Sequence, residues 1–225
     1  DQHGAGAKEL AVAQKIAECR YASVIKTAAG LVEDQQIWRC DKRHDIAGGD
    51  ATIGANIENL DASLTGSSFL NFTGNALANS LDGGQGDDSL FGGAGNDTYV
   101  IDSVSDVVSE TDADSLTGGI DLVQSSVSHT LGAHFEKLTL TGTDTISGTG
   151  NSLDNTIAGN SGANSLDGGT GIDSLVGGAG NDSYFVDNAG DVVVENLGEG
   201  TDLVESSVSY TLSGDLENLN LSGTG

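Results

Sequence analysis

The sequence predicts an all-β solenoid built from nine-residue repeats, and three observations carry that prediction. Two nonapeptides, 83–91 (GGQGDDSLF) and 92–100 (GGAGNDTYV), follow each other without a gap. The same pair returns at 168–176 (GGTGIDSLV) and 177–185 (GGAGNDSYF). The chain also contains no proline and only 4% aromatic residues, which suits the thin core of a solenoid and not a large globular core.

Each nonapeptide divides into a turn followed by a short strand. Glycine at positions 1, 2 and 4 allows positive φ and close backbone approach, so the first six residues turn tightly and present carbonyl oxygens. Positions 7 to 9 form a strand whose central apolar residue points into a narrow core. These central residues are Leu90, Tyr99, Leu175 and Tyr184. Two nonapeptides complete one rung, so turns that lie two repeats apart stack on each other.

The sixth residue of each nonapeptide is an acid. These acids are Asp88, Asp97, Asp173 and Asp182. Calcium takes six to eight oxygen ligands from carboxylates and carbonyls, and a glycine-rich turn with an aspartate supplies both. A flexible Gly/Asp-rich linker is the alternative that composition allows, but a linker does not keep an apolar residue at every ninth position. The pattern therefore predicts calcium ions held between stacked turns.

Weaker copies of the repeat precede each glycine-rich pair and carry asparagine at position 6. These copies are 74–82 with Asn79, 150–158 with Asn155 and 159–167 with Asn164. The period predicts that Asp97 stacks over Asn79, Asp173 over Asn155 and Asp182 over Asn164, while Asp88 lies over a degenerate stretch around 66–71. An amide oxygen can bind calcium but brings no charge. We therefore expect a few calcium ions, with weaker sites where asparagine takes part.

Charge is unevenly placed along the chain. The first 43 residues hold seven bases and six acids, whereas the remainder holds 28 acids against Lys137 alone. A boundary near His44 follows from this division. Nucleic acid and anionic membrane surfaces are poor partners for so acidic a surface, and we expect no membrane insertion. Divalent cations are its natural counter-charge, and without them the repeats should be largely disordered.

Residues 1–44 are predicted to form an N-terminal helical cap on the solenoid or to be the remnant of an upstream domain. Residues 5–30 have one apolar face and favour a helix, while 31–44 are ambiguous. Cys19 and Cys40 either form a disulfide, if this segment is extracellular, or remain two thiols. The chain has no initiator methionine and no secretory signal peptide, so we expect it to begin inside a longer product or after processing.

A larger repeat is present beyond residue 44. The segments 57–60 (IENL), 135–138 (FEKL) and 216–219 (LENL) are equivalent, and their glutamates Glu58, Glu136 and Glu217 suggest a structural role. They predict a first unit at 45–147, with its roll at about 74–102, and a second at 148–225, with its roll at about 150–187. The second unit stops where a third roll would begin, so we expect a fragment of a longer array.

Residues 54–225, about three quarters of the chain, resemble the RTX, or haemolysin-type, calcium-binding repeats of bacterial exported proteins. The resemblance rests on DGGQGDDSLFGGAGNDTYVID and DGGTGIDSLVGGAGNDSYFVD. It implies a parallel β-roll, export by type I secretion machinery and folding outside the cell. By the same resemblance the four nonapeptide aspartates are calcium ligands, and carbonyl oxygens contribute from Gly83, Gly92, Gly168 and Gly177.

The sequence predicts no catalytic activity. It contains neither a G-x-S-x-G nucleophile elbow nor an H-E-x-x-H zinc motif. The histidines are scattered, and His129 and His134 are interpreted as solvated residues at a strand edge.

Two function classes remain, both extracellular or on the cell surface. The first is a structural array, such as an adhesin stalk, a surface layer or a filament, in which the chain self-associates. The second is a C-terminal module that assists secretion and folding of a larger exported enzyme or toxin. The open-ended repeat and the lack of a catalytic motif favour the array.

Overall fold

Short strands, most of them with one or two inward apolar side chains, follow one another along the chain. The computed structural model describes residues 58–63, 69–110 and 118–222, together with the backbone of strands at 37–39 and 49–52. The described strands are β1 (Ile37–Arg39), β2 (Gly49–Thr52), β3 (Asn59–Asp61), β4 (Leu70–Thr73), β5 (Ser80–Asp82), β6 (Ser89–Phe91), β7 (Thr98–Ile101), β8 (Val107–Ser109), β9 (Leu122–Ser125), β10 (His129–Thr130), β11 (Lys137–Leu140), β12 (Ser147–Thr149), β13 (Thr156–Ala158), β14 (Ser165–Asp167), β15 (Ser174–Val176), β16 (Ser183–Val186), β17 (Val192–Val194), β18 (Leu203–Ser206) and β19 (Asn218–Leu221).

These strands alternate between sheets and pair only in parallel. One sheet has nine strands in the order β1-β3-β5-β7-β9-β11-β13-β15-β17. The intervening strands form a four-stranded sheet, β2-β4-β6-β8, and a six-stranded sheet, β10-β12-β14-β16-β18-β19. At the usual spacing of about 4.8 Å between strands, the nine-stranded sheet is about 38 Å long. The fold is therefore the predicted parallel β-solenoid.

A single column of inward residues runs along the nine-stranded sheet. From β3 onward it consists of Leu60, Leu81, Tyr99, Val123, Leu138, Ile157, Leu175 and Val193. The four residues predicted to fill the core, Leu90, Tyr99, Leu175 and Tyr184, are all fully buried, which confirms that prediction. Each such side chain contributes about 1.5–3 kcal/mol by leaving water.

The connectors continue the solenoid, and their first strands keep the eighteen-residue spacing of two nonapeptides although they lack the glycine-rich pattern. In the first connector β8 pairs with β6, and in the second β17 pairs with β15. The equivalent strands β7 and β16 are nine strands apart, an odd number, so β7 lies in the nine-stranded sheet and β16 in the six-stranded sheet. The turn of Asp97 therefore leads into the nine-stranded sheet, whereas the equivalent turn of Asp182 leads out of it into the six-stranded sheet.

The N-terminal predictions fall largely outside the described residues. The helix at 5–30 and both cysteines lie there. Strand β1, in the stretch that the sequence leaves ambiguous, pairs with β3, so the nine-stranded sheet begins within 1–44. The described parts of the chain contain no helix, and hence none with the length and apolar character to cross a membrane.

Candidate metal sites

One carboxylate oxygen of each nonapeptide aspartate accepts a hydrogen bond from the backbone of the preceding turn in the stack. The backbone N–H groups of Asn79, Asn155 and Asn164 donate to the Oδ1 atoms of the aspartates eighteen residues ahead, at N···O distances of 2.6, 2.7 and 2.7 Å. The N–H of Leu70 donates in the same way to Asp88 Oδ1 at 2.8 Å. The stacking order predicted from the repeat period is therefore confirmed.

The second oxygen of each of these carboxylates is buried and has no hydrogen-bond partner. This holds for Oδ2 of Asp88, Asp97, Asp173 and Asp182, whose side chains are at most 2% exposed. Buried polar atoms are almost always paired, because an unpaired one costs about 1–3 kcal/mol and a charged one costs more. Four such oxygens at equivalent positions indicate sites for a cation.

Glycine at position 1 leaves the space beside these oxygens open. A Cβ on Gly83 or Gly168 would collide with the Oδ2 atom of Asp88 or Asp173, respectively. Any larger residue would fill the space in which a cation can reach the carboxylate. The first glycine of the preceding turn in the stack faces a carbonyl oxygen. The carbonyl oxygens of Gly92, Gly168 and Gly177 lie beside Gly74, Gly150 and Gly159, respectively. Carboxylate and carbonyl oxygens are the donor set that calcium prefers.

The asparagine turns differ because their amides are already engaged. Asn155 Oδ1 accepts from the N–H of Asn151 at 2.7 Å, and its Nδ2 donates to the carbonyl of Phe135 at 2.9 Å. Asn164 makes the corresponding bonds to the N–H of Asn160 and the carbonyl of Ile146, at 2.8 and 2.9 Å. The amide thus joins its turn to the preceding rung without a cation. A ligand role for Asn79, Asn155 and Asn164 stays a prediction.

Four further aspartates, which the sequence analysis did not single out, extend the stacks into the connectors. The Oδ1 atoms of Asp106, Asp121, Asp191 and Asp202 accept from the backbone N–H groups of Asp88, Asp97, Asp173 and Asp182, respectively, at 2.7–3.0 Å. Asp106 and Asp191 keep the eighteen-residue period, which was the available signal. Their Oδ2 atoms also accept backbone bonds, from the N–H groups of Ser103 and Asn188 at 3.0 Å.

Two clusters of three buried carboxylates lie where each roll meets its connector. We call them the unit-end triads: Asp97–Glu110–Asp121 and Asp182–Glu195–Asp202. One oxygen from each acid lies within 4.8 Å of the others in its triad. Two like charges at that separation repel each other by about 3 kcal/mol at an effective dielectric constant of about 20. Such clusters therefore call for protons or a cation.

Neighbouring side chains fix the geometry of the triads. The hydroxyl of Tyr99 donates to Glu110 Oε1, and that of Tyr184 donates to Glu195 Oε1. Glu136 Oε2 accepts from the N–H of Asp121 at 2.9 Å, and Glu217 Oε2 accepts from the N–H of Asp202 at 2.8 Å. The recurrent glutamates Glu136 and Glu217 thus have the structural role that their repetition suggests.

Burial and mutual repulsion raise the pKa values of the triad aspartates and of Glu195. Burial, followed by the charges of Glu110 and Asp121, raises the pKa of Asp97 to about 7. Burial, with the charges of Asp202 and Asp182, raises the pKa of Glu195 to about 8. The pKa of Asp121 rises to about 7, also mainly through burial.

The remaining nonapeptide aspartates are perturbed less. Burial raises the pKa values of Asp88, Asp173 and Asp182 to about 6. At neutral pH these three aspartates are mostly ionised, whereas Glu195 and the Asp97–Asp121 pair hold protons that a cation would displace.

The interpretation of His129 as a solvated residue is wrong. Its Nε2 atom is buried without a hydrogen-bond partner, and burial lowers the pKa of the imidazole. The side chain lies in an inward register because His129 pairs with Gly148, which aligns with the buried Leu166. His134 is half-buried and has a positive φ of 74°.

A family model described as RTX calcium-binding nonapeptide repeat (four copies) matches residues 73–108, 149–184 and 158–193. The chain carries RTX calcium-binding repeats. The matches to the RTX family include both predicted rolls and extend into the connectors, where they end within β8 and β17. Searches of curated proteins and of solved structures each found no match. The buried, unpaired oxygens of the aspartate turns lie within or next to the RTX repeats, so the geometry and the family point to the same ligand.

Proposed function

We propose that the chain is an extracellular RTX module that folds on binding calcium and serves as a structural array. The observation that carries the proposal is the junction between the two units. The nine-stranded sheet and the six-stranded sheet both cross it. Strand β10 of the first unit pairs with β12, and β11 pairs with β13 of the second unit. Successive units are therefore joined by strand pairing and not by a linker, which favours a continuous rod.

Calcium-dependent folding is supported by charge. Residues 44–225 hold 28 acids and one base, and such self-repulsion opposes compaction. The solenoid also buries acids with unpaired oxygens, which a divalent cation would neutralise. Binding free energy then becomes folding free energy. Because calcium is abundant outside cells and scarce in the cytosol, the chain would fold only after export, for which type I secretion machinery is the proposed route.

Circular dichroism tests calcium-dependent folding. The full chain should show little strand signal in calcium-free buffer and a strand spectrum in millimolar calcium. Magnesium at the same concentration is the control, since it requires octahedral geometry and short oxygen distances. An unchanged spectrum together with no bound calcium would rule out the proposed function.

Light scattering separates the array from the alternative, a secretion and folding module attached to a larger exported enzyme or toxin. A structural rod that self-associates should form assemblies when calcium is added. Calcium-dependent folding of a chain that stays monomeric at all concentrations would favour the alternative. The array role itself is proposed to be non-catalytic.

A further inference from the structure

Two of the three carboxylates in each unit-end triad lie outside the nonapeptide pattern. Glu110 directly follows β8 and Asp121 directly precedes β9, and Asp121 Oδ1 accepts a hydrogen bond from the N–H of Asp97. Glu195 and Asp202 belong to the turn between β17 and β18, which stacks on the turn of Asp182. Each triad thus joins one aspartate of the repeat pattern to two acids outside it.

An independent observation points to a ligand in these clusters. Asp182 is 1% exposed and Glu195 is 7% exposed, yet Oδ2 of the first and Oε2 of the second have no hydrogen-bond partner. In the first unit, Asp97 is 1% exposed and its Oδ2 is likewise unpartnered. The space beside them is kept open by glycine, because a Cβ on Gly177 would collide with Asp182 Oδ2 and Glu195 Oε1.

Protein side chains offer little positive charge to neutralise the triads. Lys137 is the single lysine or arginine after residue 43, and it is exposed on β11. The hydroxyls of Tyr99 and Tyr184 each donate a hydrogen bond to a triad glutamate but bring no charge. Apart from protons, a hard cation that prefers carboxylate oxygen is the partner of suitable chemistry.

We propose that each unit-end triad, Asp97–Glu110–Asp121 and Asp182–Glu195–Asp202, is a cation site that takes a hard divalent cation of the calcium class. This inference rests on the proposed calcium-dependent function and extends it to residues of the connectors. Each triad offers three carboxylates to the cation, whereas the Asp88 turn offers one unpaired carboxylate oxygen. The triads therefore bind the cation more tightly and fill first. Their ions tie the last turn of each roll to its connector.

Terbium luminescence tests the sites because Tyr99 and Tyr184 contact them. Terbium replaces calcium at oxygen sites and emits when a nearby tyrosine is excited. Titration of the full chain should give sensitised emission at the lowest terbium concentrations, and calcium should displace it. Tyr99→Phe and Tyr184→Phe should each lower the emission while calorimetry finds the same number of bound ions.

Glutamate variants then test the ligands. Glu110→Gln and Glu195→Gln should each weaken one tight site at least about tenfold, because charge count sets calcium affinity. Glu205→Gln is the matched control: Glu205 lies on the outer face of β18, in register with the exposed Phe185, and its loss should leave the tight sites unchanged. Asp88→Asn with Asp173→Asn should keep the tyrosine-sensitised emission.

The outcomes separate this inference from the proposed function. If the wild-type chain binds no calcium and does not fold, the proposed function fails and the inference fails with it. If the wild-type chain folds with calcium but both glutamate variants bind the same number of ions within twofold affinity, the inference alone is overturned. If the glutamate variants fail to fold, retained emission in Asp88→Asn/Asp173→Asn supports the triads, and loss of emission there overturns them.

Discussion

Lowering the pH from about 8 to about 6 should weaken calcium binding far more at the unit-end triads than at the other aspartate turns. Calcium binds ionised carboxylates, so a proton held by the free site must leave first. The pKa of Asp97 and that of Asp121 are about 7, whereas the pKa of Asp88 and that of Asp173 are about 6. The calcium affinities of the two kinds of site should therefore diverge as the solution becomes acidic.

The size of the effect follows from these values. At pH 6 a group with a pKa of about 7 is about nine-tenths protonated, which lowers the apparent affinity about tenfold. The charge of Asp121 helps to raise the pKa of Asp97, so the two groups titrate together and lower the affinity by between about tenfold and about a hundredfold. A single group with a pKa of about 6, such as Asp88, is half protonated and lowers the affinity only about twofold.

Isothermal titration of calcium into the full chain at the two pH values measures this difference. Two buffers of unequal ionisation enthalpy report the protons released per ion. We expect one class of sites to lose between about one and two orders of magnitude in affinity and to release protons, while the other changes little. A uniform change below about threefold at every site, without proton release, would refute the assignment of the triads.

The stability of the calcium-free fold should fall as the pH rises, whereas calcium affinity should rise with pH. The folded pKa values of the triad acids lie above those of ordinary carboxylates, so the folded state binds more protons than the unfolded chain. This stabilisation is complete below about pH 4 and disappears as the pH rises through about 6 to 8. Since little strand structure is expected near neutral pH without calcium, circular dichroism in calcium-free buffer at pH 5 and pH 8 checks it, and more strand signal at pH 8 than at pH 5 would contradict it.

Three substitutions test the rest of the structure. Asp182→Ala should weaken calcium binding more than Asn164→Ala does, because the asparagine amide is engaged in structural hydrogen bonds; equal losses in a calcium titration would exclude this scheme. Gly177→Ala should remove one tight site by filling the space beside Asp182, whereas Gly214→Ala, where a Cβ would meet nothing within 4 Å, should leave the ion count unchanged. Leu175→Ala should cost the calcium-loaded protein about 2–5 kcal/mol in urea unfolding, since Leu175 is fully buried, and a loss below about 1 kcal/mol would contradict the single inward column.

The nonapeptide period predicted the part of the fold in which local pattern and burial agree. Leu90 and Tyr99 lie nine residues apart and both point inward, because each strand has one central apolar residue. The same period placed Asp97 over Asn79. The aspartates whose buried oxygens have no partner are those singled out as calcium ligands, and that ligand role stays a prediction.

The connectors could not be predicted in this way because the number of residues per rung changes there. Asp97 and Asp121 are 24 residues apart, whereas the equivalent Asp182 and Asp202 are 20 apart, although both pairs make the same hydrogen bond. The first connector holds four more residues than the second, near 112–119, and these shift Asp121 away from the spacing of Asp202. Glu110 and Glu195 each follow their nonapeptide aspartate by 13 residues, a recurrence that the sequence analysis did not use.

A crystal structure of the calcium-loaded chain, with anomalous scattering to locate the ions, tests the central claim most directly. Calcium should appear about 2.3–2.6 Å from the Oδ2 atoms of the four nonapeptide aspartates. The strongest peaks should lie in the unit-end triads, in contact with Glu110 and Glu195. Aspartate oxygens that bind only protein hydrogen-bond donors or water, with no ion beside them in saturating calcium, would contradict the account.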